Sequence, residues 1–293
     1  MRVALSCICL LAILAVAGGD SPWEITNGVV TLSFSPAISR ISFFGRVDGP
    51  NALWMNPQKD SVVFADSPPW INHGGERFWP IPALAFAAAF ESGWPPPDCI
   101  EKIQWKLLNR TPDTLEMESE LIRQLGIVMK RRIHLPPGRP AAEFKSTIIR
   151  QERNHIPIQI WLTVQLPEPE YCIAAMAPDF PEWRKLSLLN RQWQGVSTRG
   201  NAVVFKPDQI LPGAKIGFFA EKAVAVYPDC LFVQKTMLQP QFCYPECSNV
   251  QLYGNPVGNF GKYLEIEILG DYGNLKPGKS TELLSSWELL DRK

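Results

Sequence analysis

Two stretches of the chain hold most of the side chains that could do chemistry. In the first, Trp70-Ile71-Asn72-His73-Gly74-Gly75-Glu76-Arg77-Phe78-Trp79-Pro80, a histidine, a glutamate, an arginine and two tryptophans surround a glycine pair. The second, Glu91-Ser92-Gly93-Trp94-Pro95-Pro96-Pro97-Asp98, adds an indole between two carboxylates. Indole beside Arg, Asn, Glu and His suits sugar recognition, because the apolar C–H face of a pyranose stacks on the ring while planar polar groups take its hydroxyls in pairs. Tryptophan in a large β protein also fills the core, and that reading stays open. A late strand, Tyr263 to Leu269, puts Glu265 and Glu267 on one face by its period of two. On the sugar reading His73 and Arg77 hold hydroxyls in an open hollow, Trp79, Trp94 and Trp161 stack, and Arg40, Gln165 and Glu265 support them. A buried ion pair of Glu265 with Arg40 or Arg77 is the structural alternative.

Other chemistries find little to work with. His73, His134 and His155 are scattered, and Cys243-x3-Cys247 has no second pair at ligand spacing, so no metal site is expected. The chain has no G-x-G-x-x-G, phosphate loop or C-x-x-C-H, so no cofactor is expected either. The 29 Lys+Arg balance 29 Asp+Glu, which argues against nucleic acid as a partner, since phosphate neutralisation needs a basic face. Lys130-Arg131-Arg132 lies within a strand and reads as outward-facing solvated charge. Glu116, Glu118 and Glu120 alternate along another strand and read as a solvated outer face.

The elements that must position these residues are strands. Period-two, β-branched and aromatic segments recur from Val29 to Leu290, separated at roughly ten-residue spacing by turns such as Asp48-Gly49-Pro50, Pro136-Pro137-Gly138 and Lys276-Pro277-Gly278. The 27 prolines exceed the usual share of about 5%, which fits many short elements. Ala83 to Phe90 alone has a helix-friendly composition. Thirteen or more strands with almost no helix predict an all-β, large antiparallel sandwich in one domain over residues 20–293. Ahead of it, Met1-Arg2, an apolar run from Val3 to Val16 and Ala15-Val16-Ala17 read as a signal peptide over residues 1–17. A secreted or periplasmic protein with no stable membrane span after cleavage is therefore expected. Five cysteines follow it, an odd number, so at least one thiol stays unpaired in a monomer; an oxidising compartment allows one or two disulfides.

The order of these pieces carries a resemblance. Ile38-Ser39-Arg40-Ile41-Ser42-Phe43-Phe44-Gly45, then Asn72-His73-Gly74-Gly75 with Phe78, then the closing Glu265-x-Glu267, Leu275-x-Pro277-Gly278-x-Ser280 and Trp287-x-Leu289 resemble the galactose mutarotase-like superfamily, and within it the DUF4380 proteins. The resemblance runs from about residue 24 to 290 and implies a β-supersandwich with a sugar-sized cleft, the His-Gly-Gly loop lining it. In aldose 1-epimerases a Glu near the chain end and a central His on a strand exchange the protons of ring opening. Here the position matching that His is Trp161, which can do neither half of the transfer, while His155 in the preceding turn is expected to be exposed. The late carboxylate is Glu265, Glu267 or Glu246. Together with the leader segment, the resemblance therefore implies an exported carbohydrate-binding protein without the usual acid/base pair. The alternatives are an isomerase or lyase using Glu265 with His73, or an assembly module whose cleft is vestigial.

Overall fold

The computed structural model describes residues 21–57, 70–82, 85–90, 95–186, 195–209, 214–255 and 262–292, without the side chains of 87 and 88. The leader segment and Trp94 lie outside the described residues. Nineteen strands, numbered in chain order, form two sheets in which every described pairing is antiparallel. The first runs β1 (Trp23–Thr26), β2 (Val30–Ser35), β3 (Arg40–Arg46), β4 (Glu76–Trp79), β9 (Trp161–Pro167), β18 (Tyr263–Leu269), β17 (Val250–Asn255), β14 (Ala214–Phe218), β11 (Trp183–Lys185). The second runs β12 (Val196–Arg199), β13 (Ala202–Phe205), β10 (Tyr171–Met176), β15 (Ala220–Val226), β16 (Cys230–Thr236), β19 (Ser280–Asp291), β8 (Ala141–Arg150), β7 (Ile127–His134), β6 (Thr114–Ser119), β5 (Trp105–Arg110). Two single-turn helices, α1 (Phe86–Ala89) and α2 (Asp98–Glu101), lie between β4 and β5. The helix-friendly stretch thus holds one turn, with Pro80, Pro82 and the Pro95 to Pro97 run close by.

The sheets stack on their apolar faces. In β19, Leu283, Trp287 and Leu289 point inward while Leu284, Ser286 and Glu288 point out. Trp287 sits among Phe44, Phe144 and Phe232 at ring-centroid separations of 5.4, 4.5 and 5.7 Å, joining β3 of one sheet to β8 and β16 of the other. The strand β7 corrects one expectation. Alternation places Arg131 with Ile127, Met129 and Ile133 on the core side, where only 3% of it is exposed. There it makes a two-pronged ion pair across the core with Glu76 of β4, Nη1–Oε2 2.7 Å and Nη2–Oε1 2.8 Å. Arg131 also lies over the Phe144 ring at 5.0 Å. Lys130 and Arg132 do face solvent, paired with Glu118 and Glu116. The five cysteines Cys99, Cys172, Cys230, Cys243 and Cys247 are free thiols, so no disulfide forms among them. No helix among the described residues is long and apolar enough to cross a membrane.

Candidate functional site

The central strands of the nine-stranded sheet are buried on both sides, yet only one side is apolar. Leu162, Val164 and Leu166 of β9 and Leu264, Ile266 and Ile268 of β18 face the core. The intervening residues make rows of polar and aromatic side chains across the outer face. In one row Arg77 stands opposite Thr163, Thr163 opposite Glu267 and Glu267 opposite Gln251. In the next, Gln165, Glu265, Tyr253 and Lys215 stand opposite one another in turn. Trp79 and Trp161 are partners in a third. Arg40 belongs here too, because the Ile41 and Glu76 pair leaves it beside Arg77.

Two carboxylates organise the centre of this face. Glu265 Oε1 accepts from Arg77 Nη2 at 2.5 Å and from Gln165 Nε2 at 2.7 Å. Glu267 Oε2 accepts from Trp161 Nε1 at 2.6 Å and from Lys215 Nζ at 2.9 Å. Arg77 also lies 4.4 Å above the Trp79 ring, and Lys215 5.2 Å from the Trp161 ring. Burial pushes the Glu265 carboxyl above the ordinary glutamate range, against the pull of Arg77 and with the help of Glu267. Burial likewise raises the Tyr253 and Tyr263 phenols, which both feel the charge of Glu265. Arg40 is lowered, first by burial and then, against the pull of Glu101, by the neighbouring Arg77.

The face is covered rather than open, which corrects the expectation of a hollow walled by exposed indoles. Arg77 is 4% exposed, Trp79 2% and Trp161 5%. The cover comes from the connection between β4 and β5. Phe86 of α1 packs 5.7 Å from Trp79 and 6.1 Å from Trp161, and Glu101 of α2 bonds Arg40. On the other flank the Trp54 ring lies 4.6 Å from Tyr263. Five depressions described on the surface are lined by other residues. Solvent reaches the face from the side of β17 and β14, where Tyr253 and the Lys215 side chain are half-buried.

His73 precedes β4 and is half-buried; its carbonyl accepts from Asn56 N–H at 3.1 Å. The glycines after it serve close backbone crossing. Gly74 and Gly75 have φ of +84° and +74°, and a Cβ would lie 2.4 Å from Trp54 O at the first and 2.3 Å from Ile41 O at the second. Of the residues expected from sequence, Arg40, Arg77, Trp79, Trp161, Gln165 and Glu265 share this face. His155 is exposed on its turn, as expected, and Glu246 bonds Gln251 Nε2 at 2.9 Å from a loop. Thr163, Lys215, Gln251 and Tyr253 join them on the face, beyond the residues expected from sequence. Their signal was available, since each lies at even spacing along a strand whose alternate residues are aliphatic.

Several polar atoms on the face have no hydrogen-bond partner although they are buried: Arg40 Nε and Nη1, Arg77 Nε and Nη1, Thr163 Oγ1, Gln165 Oε1 and Gln251 Oε1. Such orphans normally cost stability, and here they concentrate on one sheet face, on β3, β4, β9 and β17. Among the described residues no group of three or more His, Cys, Asp or Glu could hold a metal ion.

No family model matches the chain, and no curated protein matches it by sequence. Solved structures do match in fold. A galactose mutarotase-like protein from Lactobacillus casei aligns over 92% of this chain and 100% of its own, with a TM-score of 0.65 at 10% identity. A galactose mutarotase related enzyme from Lactobacillus acidophilus aligns over 93% and 98%, with a TM-score of 0.62 at 10% identity. An aldose epimerase homologue from C. elegans aligns over 94% and 100%, with a TM-score of 0.53 at 10% identity. The two stacked antiparallel sheets and these alignments together give the chain the galactose mutarotase-like fold.

Proposed function

We propose that the protein binds a carbohydrate against the outer face of the nine-stranded sheet, entering from the β17 and β14 side where solvent reaches Tyr253 and Lys215, with Gln251, Glu265, Gln165, Thr163 and Arg77 meeting hydroxyls and Trp161 and Trp79 forming the apolar floor at the covered end. One observation carries this: buried, unpartnered donors and acceptors sit beside paired indoles on a sheet face that should otherwise be either apolar or wet. The fold supports a sugar ligand but leaves activity to the side chains. Trp161, at the position where the resemblance calls for histidine, gives its N–H to Glu267 and offers no proton acceptor. Binding without the usual epimerase pair is therefore the reading.

The test is a thermal-shift panel of neutral mono- and disaccharides on the protein from residue 18 onward, with titration calorimetry on any hit. A hit weakened by Thr163→Val supports the site; a hit indifferent to it places the ligand elsewhere. A second reading, isomerase chemistry, is favoured by the Glu265 carboxyl, which burial raises and which lies among the polar groups of the face, where a proton-transfer group would be needed. Polarimetry on each hit decides it. We also propose that the first 17 residues are an export signal; a mature chain isolated with Met1 in place would refute that.

A further inference from the structure

A second aromatic cluster lies where the chain crosses between sheets, at Phe180 between β10 and β11 and at Phe219 between β14 and β15. A depression of about 200 Å³ lined by Asp179, Phe180, Glu182, Arg184 and Phe219 abuts one of about 180 Å³ lined by Phe180, Phe219, Phe242 and Tyr244. The Phe180 and Phe219 centroids are 4.8 Å apart, Phe219 and Tyr244 5.6 Å, and Phe242 and Tyr244 6.2 Å. Phe180 is 46% exposed, an unusual place for a phenyl ring. The side chains of Asp179, Glu182 and Arg184 beside it are exposed and make no hydrogen bond or ion pair with the described residues.

We propose that this is a surface carbohydrate site, in which a pyranose lays its C–H face on Phe180 while Asp179 and Glu182 accept from its hydroxyls and Arg184 donates to them. The mixture argues for a sugar over an apolar peptide. Carboxylates at both flanks of a phenyl would be desolvated without partners by an apolar chain, whereas a sugar offers hydroxyl donors at the rim of its own apolar face. Two abutting depressions sharing Phe180 and Phe219 fit successive residues of a glycan. The site lies at the open edge of the sheet face whose centre is covered: Arg184 on β11 stands opposite Gly217 in the row of Gln251 and Glu267, three strand spacings and about 14 Å from Glu267 at the usual interval. It does not rest on that reading.

The experiment is saturation-transfer NMR and chemical-shift titration with maltotriose, cellotriose and a β-1,4-galactotriose, run on the parent chain and on Phe180→Ala, Arg184→Gln and Thr163→Val. Expected is saturation of the C–H protons of at least one trisaccharide, with affinity falling about two- to tenfold in Phe180→Ala, in line with the strength of an aromatic contact. Arg184→Gln should weaken it as well, with Thr163→Val unchanged. Because both surface residues are exposed, the melting temperature should not move. Binding that survives Phe180→Ala and Arg184→Gln but fails in Thr163→Val overturns this site and keeps the central one. The reverse pattern keeps this site alone. No response to any trisaccharide, or a response only to an aromatic-rich peptide, overturns it.

Discussion

Thr163 offers a clean probe of the sheet face, because its hydroxyl is fully buried and has no hydrogen-bond partner. Valine has nearly the same shape, so Thr163→Val removes an orphaned oxygen without opening a cavity. An unsatisfied buried polar group costs about 1–3 kcal/mol, so the ligand-free variant should be more stable by ~1 kcal/mol after allowance for relaxation. For a chain of this size that is a melting temperature higher by about 2 °C. Sugar binding should move the other way. Losing one hydrogen bond to a neutral hydroxyl costs about 0.5–1.5 kcal/mol, or roughly a two- to tenfold weaker affinity. Differential scanning calorimetry reads the first change and titration calorimetry the second. A melting temperature that falls by 2 °C or more would mean that the hydroxyl is satisfied in solution, and the argument from unpartnered atoms would fail with it.

The ion pair in the core should behave differently. Arg131→Met leaves Glu76 buried and unpaired, at a cost of about 3–5 kcal/mol, whereas Glu76→Leu with Arg131→Met should regain most of that loss; a double variant as unstable as the single in denaturant titrations would count against it. Burial raises the Glu265 carboxyl above its ordinary value of 4.5, so the folded state holds a proton that the unfolded state has lost, and stability falls as pH rises from about 4.5 through the raised value. Against Glu265→Gln, which does not titrate, the parent should therefore lose ground from pH 4 to pH 7 in urea unfolding, and a gap that stays constant would refute the assignment.

Much of the fold could be read from the sequence because alternation and turn residues act locally. The strands from β6 to β9 and β16 to β19 follow the period-two segments, and the Pro-Gly turns separate them. Arg131 shows where a rule of thumb misleads. A basic run suggested solvent, but Ile127, Met129 and Ile133 at even spacing already placed that side chain inward, and charge alone cannot say that Glu76 will come from 55 residues away to meet it. The site was partly legible for the same reason. Glu265, Gln165, Trp161 and Arg77 were recognisable as residue types, while their common face depended on which strands pair, a long-range fact that no local pattern contains. The cover over Trp79 was invisible, because a proline-bounded stretch with a single helical turn does not announce what it packs against.

The neighbours Glu76 and Arg77 point to opposite sides of β4, one inward to Arg131 and the other outward to Glu265. Sliding this short strand by a single position would exchange them, bringing Arg77 against Arg131 in the core and Glu76 against Glu265 outside. Both encounters would be between like charges in a dry setting, each far worse than the hydrophobic mismatch that usually polices strand alignment. Two adjacent ionic locks of opposite polarity thus leave the segment one permissible seat. Whatever meets the outer face then meets an arginine whose position is dictated from the far side of the sandwich.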